Sequence, residues 1–271
     1  MNWPERLQRI DNRWLYLALA IVVSIPVFWP LPLPIPSTRE TRGLYDAIQD
    51  TPSGKLVMLH MTWDASTIGE CEGQCHAIIE HLMREHIPFV VWASNPASPP
   101  FYQRVINAAA KKYGRVYGRD WADFGYKVPD DQRRFGIQSM ARDFPGYMKT
   151  DFYGTPISAI PVTQNVKDAT DFNLMVSIGY NPTIEFIQFV EPVYGTKVGF
   201  AAVAMHSTVL FTYIDSKQIV GMLVGARGGA EYETLLNAPG KGVEIIKAQT
   251  YAHVLIIGLV VLGNIAMFAT R

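Results

Sequence analysis

The only two cysteines of the chain stand in the run Cys71-Glu72-Gly73-Gln74-Cys75-His76. Strand-like residues precede it and an amphipathic helical pattern follows. A thiol at a helix N-terminus has its thiolate stabilised by the helix dipole, which makes it nucleophilic and metal-binding. Three intervening residues still let the two sulfurs meet. The run therefore allows a disulfide, a thiol-exchange pair or two free thiols, and an oxidising compartment would preserve the disulfide. His60 and Asp64 lie at and just past the end of the strand-like run 55–63. Ser94 and Asn95 occupy the same place after the run 88–93, and His206 and Ser207 after 197–204. In an open α/β sheet the carboxyl ends of the strands line the usual ligand crevice, so His60, Asp64, Asn95 and His206 are candidate ligand contacts. Asp64 also reads as a loop cap, and Ser207 as a helix cap. Arg227 sits in Gly225-Ala226-Arg227-Gly228-Gly229-Ala230-Glu231, between a strand and a helix. Backbone N–H groups there could cradle an anion with Arg227 assisting, or the glycines could serve a tight, closely packed turn. Glu231 and Glu233 read as acidic residues in the first turn of the following helix, where they offset its dipole.

The order strand, Trp63, loop, C-x-x-x-C, helix resembles the thioredoxin-like copper chaperones of respiratory-oxidase assembly. That resemblance implies copper held by Cys71, Cys75 and a remote histidine, for which His60, His76 and His206 are available. The run C-x-x-x-C-H also resembles a stretched c-type haem attachment motif, which normally has two residues between its cysteines. Neither family's remaining pattern occurs elsewhere in the chain. No family is assigned, and metal and cofactor are left open. The chain contains no G-x-S-x-G elbow, H-E-x-x-H, Walker or G-x-G-x-x-G motif, so no catalytic residue is nominated.

The elements that must position these residues alternate. Strand-like runs at 55–63, 88–93, 121–126, 173–178, 197–204 and 219–224 are separated by helical periods at 74–86, 101–113, 131–144, 183–190, 207–214 and 229–236. A brief apolar run lies at 157–162. Nearly continuous apolar strands suit a parallel sheet covered on both faces. The expected fold is a doubly wound, mostly parallel α/β sheet over 51–240, with a hinge and cleft near 145–172.

Two uncharged stretches flank that domain. The first, Trp14–Ile35, predicts a membrane helix over 14–30 after a short tail of 1–13. Its alternating Pro30, Pro32 and Pro34 predict an extended exit over 31–50. Arg6, Arg9 and Arg13 followed by an apolar run also fit a signal peptide, but no A-x-A-like site follows. The second stretch, Tyr251–Ala269, predicts a spanning helix over 250–269, in which Asn264 would seek a polar partner. Two spans put both termini on one side. Basic flanks are tied between the sides, with Arg6, Arg9, Arg13 and Arg271 against Arg39, Arg42, Lys241 and Lys247. The positive N-terminal region and the proline exit favour an extracytoplasmic domain.

Of the 271 residues, 49% are apolar and only 18% charged, with 24 basic and 24 acidic side chains. This balance gives no electrostatic footprint for nucleic acid. The expected function is a membrane-anchored, non-catalytic subunit that presents an α/β domain for assembly with other membrane subunits or with itself. A ligand-binding domain of a transporter or sensor is the first alternative. A thiol redox protein or metallochaperone using Cys71 and Cys75 is the second.

Overall fold

A computed structural model describes residues 10–28, 34–127 and 133–269. Six strands form its sheet: β1 (Leu56–Thr62), β2 (Phe89–Ala93), β3 (Trp121–Tyr126), β4 (Phe172–Gly179), β5 (Lys197–Ala202) and β6 (Gly221–Val224). All neighbouring pairs are parallel, in the order β3-β2-β1-β4-β5-β6. Every residue of β1 and β2 is buried, which explains why these strands read as unbroken apolar runs.

Alternate side chains build two cores. On one face Val57, Leu59, Val91 and Leu174 pack against α2 (Arg39–Gln49), α3 (Ile68–Arg84), α4 (Pro99–Tyr113) and α10 (Gly225–Leu235). On the other, Met58, Trp92, Phe124 and Phe200 pack against α5 (Arg133–Arg142), α6 (Phe144–Met148), α7 (Glu185–Phe189) and α9 (Ala204–Asp215). A four-residue helix, α8 (Glu191–Tyr194), completes the connection to β5. The winding reverses beside β1, whose two neighbours are β2 and β4, and this is the switch point where a crevice is expected.

Several boundaries differ from the sequence reading. The stretch expected as an extended exit contains α2, whose Leu44 and Ile48 are fully buried. Thr38 caps that helix by accepting from the Thr41 amide. Gly43 and Gly221 let α2 lie directly on β6: a Cβ on Gly43 would stand 2.2 Å from the Val220 carbonyl oxygen. Such contact is invisible to a periodicity argument. The apolar run at 157–162 forms two 3-10 turns. The expected hinge near 145–172 belongs to the same compact unit as the sheet, Ile35–Val243. Its Met148, Ile160 and Val166 are core residues.

The second unit contains the apolar ends. α11 (Lys241–Ala269) has 29 residues and is long and apolar enough to cross a bilayer. A matching span at the other end is not shown: within the described residues α1 (Asn12–Phe28) has 17 residues. At 1.5 Å per residue it covers about 25 Å against a hydrocarbon thickness of about 30 Å. Pro30 and Pro32 lie outside the described residues.

Candidate functional site

At the carboxyl edge of the sheet the structure brings Asp64 and Asn95 together. Asp64 follows β1 and Asn95 follows β2, and the Asn95 amide donates to Asp64 Oδ2 at 2.9 Å. The other oxygen of Asp64 accepts from the Ser66 backbone at 2.9 Å and the Ser66 hydroxyl at 2.7 Å. The Ser66 hydroxyl, then its amide, then Asn95 hold this carboxyl below its usual range. Asp64 therefore stays ionised, and its main task is to cap the single turn Ala65–Thr67.

The remaining candidates do not join this pair. His60 is fully buried inside β1 and stacks on Trp92 at 4.2 Å. Its Nε2 pairs with Ser94 Oγ at 2.8 Å and its Nδ1 with Thr183 Oγ1 at 2.9 Å, so both ring nitrogens are used internally. His206 lies in the first turn of α9, edge-on to Tyr180 at 4.8 Å. Its Nε2 is buried without a hydrogen-bond partner among the described residues. Arg227 lies in the first turn of α10 rather than in a loop, because residues 225–231 are already helical. Its Nε donates to Glu231 Oε1 at 2.8 Å.

The cysteine run has a structural use. Cys71 and Cys75 are both buried free thiols, one of the three states the run allows. Helix α3 begins at Ile68, which leaves Cys71 at the close of its first turn and Cys75 a full turn deeper. Burial pushes the Cys71 thiol up to about 12 and the Cys75 thiol higher still, outweighing the dipole that would favour thiolates. Among the described residues no group of three or more His, Cys, Asp or Glu side chains is placed to hold a metal ion. Between the cysteines, Gln74 donates to the carbonyls of Ala202 at 3.0 Å and Gly225 at 2.8 Å, tying α3 to β5 and α10.

The most organised polar arrangement is one that the sequence reading misplaced. Since α10 begins at Gly225, Glu231 and Glu233 are its seventh and ninth residues rather than its first turn, and each is 2% exposed. Two residues on a helix differ by about 200° in direction, so the two carboxylates leave α10 on opposite sides. Glu231 Oε2 accepts from the Thr38 amide at 2.9 Å and from the hydroxyls of Thr38 and Thr41, each at 2.8 Å, at the start of α2. Glu233 accepts from the amides of Gly240 and Val243 at 2.8 Å and of Gly242 at 2.9 Å, at the start of α11. Each helix start leaves unpaired N–H groups and a partial positive charge, which a carboxylate neutralises. The burial cost of the two anions is offset by these charge-assisted bonds. A signal for this was present: two acids two apart in a glycine-rich helical run cannot both face solvent if the helix is buried.

Glycines close the same junction. A Cβ on Gly73 of α3 would come within 3.0 Å of Gly242, and one on Gly242 within 2.6 Å of the Ala230 amide nitrogen. A Cβ on Gly229 would stand 2.9 Å from the Gln74 amide nitrogen. Three helices thus meet backbone to backbone. Gly73 and Gly229 belong to the runs first nominated for thiol and anion chemistry, and here they permit close packing.

Two further polar groupings lie near β3. Asp123 accepts from the Tyr102 hydroxyl at 2.8 Å and Gln103 at 2.6 Å, while Asp151 accepts from the Tyr117 hydroxyl at 2.7 Å. Burial raises the Asp123 carboxyl. A cavity of about 540 Å³, lined by Lys127, Arg142, Asp143 and Lys149 among others, opens beside the segment 139–150. None of the nominated site residues lines it. Comparison of the chain with family models, curated proteins and solved structures finds no match.

Proposed function

We propose that this protein is a membrane-anchored, non-catalytic subunit whose α/β unit serves as an assembly platform. The observation that carries the reading is the double cap on α10. Glu231 holds the start of the segment that follows the first apolar stretch, and Glu233 holds the start of α11. One buried helix thereby roots both connections of the sheet unit to the apolar segments. A loose tether would suffice for an enzyme that diffuses to its substrate. A fixed root suits a unit that must present one face to neighbours.

In this proposal α11 crosses the bilayer and the shorter α1 enters the same membrane. The sheet unit lies on the extracytoplasmic side, where burial of Cys71 and Cys75 would shield their thiols. Partners are other membrane subunits or further copies of the chain, together with the lipid itself. The test is native mass measurement of the full chain in mild detergent. Assemblies larger than one chain are expected, and a lone monomer under every gentle condition would count against the proposal.

A further inference from the structure

Apart from Tyr251 at its start, the stretch Tyr251–Ala269 contains two polar side chains, His253 and Asn264. They are 11 residues apart, about three turns, so they differ by only about 20° around the helix. Ile257, Val260 and Met267 complete the same line, and the steps of four, three, four and three residues form a heptad seam. The line is on the outside of the described structure: Ile257 is 63%, Val260 57% and Met267 39% exposed, and His253 and Asn264 are exposed as well. Among the described residues the Asn264 amide makes no hydrogen bond.

We infer that this seam is where two copies of the chain pair in the membrane, with Asn264 of each bonded to Asn264 of the other. The inference rests on the membrane-anchored reading above and names its partner. Asn264 is five residues from the end of α11 at Ala269, about 8 Å inside the helix end. Its short side chain does not reach the headgroups from that depth, and an amide left unbonded in hydrocarbon is costly. Copies of one chain insert in the same direction, so a parallel pair brings the two Asn264 side chains to equal depth. An Asn amide both donates and accepts, and two related by a two-fold axis exchange two hydrogen bonds. Any other partner would need its own polar group at that depth and angle. The spacing of 3.5 residues keeps the seam in register as the helices wind left-handedly, and a single Asn within such a seam specifies register.

The test uses the full chain in native membranes, first washed with alkaline carbonate. Asn264→Cys is compared with Leu262→Cys under a membrane-permeant oxidant, since Leu262 is exposed on the side of α11 away from the seam. A self-linked dimer is expected for Asn264→Cys and not for Leu262→Cys. In mild detergent Asn264→Leu should weaken the dimer roughly 3- to 20-fold, while Asn264→Gln keeps it. A chain recovered in the carbonate wash overturns the anchoring reading, and the pairing with it. A chain that stays in the membrane but gives no preferential link at 264, links there to a different protein, or dimerises unchanged as Asn264→Leu overturns the pairing alone.

Discussion

His81 shows at the scale of one residue how burial sets behaviour. It sits on α3 between the Tyr232 hydroxyl, 2.7 Å from Nδ1, and Gln49 Oε1, 2.9 Å from Nε2. The amide oxygen of Gln49 can only accept, so Nε2 carries the proton and Nδ1 accepts from Tyr232. Burial pulls its pKa down to about 4. An unfolded histidine titrates near 6.5, so between these values the unfolded chain binds more protons than the folded one. Stability is then complete above about pH 6.5 and falls as pH drops toward 4, by on the order of 3 kcal/mol. Denaturant midpoints measured across this range should decline, and His81→Gln should flatten the decline. Equal slopes for the two proteins would refute the assignment. The two carboxylate caps make a second residue-scale prediction. Glu233→Gln turns one acceptor toward N–H groups as a donor and should cost about 1–3 kcal/mol, read as a lower unfolding midpoint. The sequence displayed Glu231 and Glu233 plainly but not their roles, because a carboxylate's role depends on which helix starts fall beside it.

At the scale of elements, the junction of α3, α10 and α11 carries a sharper contrast. Gly73 and Gly69 are both on α3, yet a Cβ on Gly69 meets nothing within 4 Å. Gly69→Ala should be neutral or stabilise by up to about 1 kcal/mol through helix propensity. Gly73→Ala forces the α11 start away and should destabilise by about 1–3 kcal/mol. Comparable unfolding midpoints for the two variants would mean that the close approach is not real. The cysteines on the same helix give a further expectation. With both thiols buried, a thiol reagent should label Cys71 and Cys75 only at the rate of unfolding, and labelling as fast as a free peptide thiol would contradict the packing. Strand positions were legible to within a few residues because unbroken apolar runs have few other uses. Helix α2 was not legible, since its segment follows prolines and its packing depends on Gly43 meeting β6.

On the scale of the whole molecule, the expected outcome is retention of the full chain in the membrane fraction after alkaline carbonate, because α11 offers 29 helical residues with a long uncharged stretch. Its release would remove the anchor from the proposal. The sequence by itself determined the α/β class, the strand sites and the apolar character of both ends, because these follow from hydrophobic period and length, which are local properties. Only the tertiary structure decided that the sheet is parallel throughout, that the two cysteines are buried as free thiols, and that His60 is spent inside the core. It likewise reassigned the residues nominated for chemistry: the glycines of the cysteine run and of the Arg227 run became contact points between helices. Those outcomes depend on which elements meet and at what distance, and no spacing along one chain encodes that in readable form.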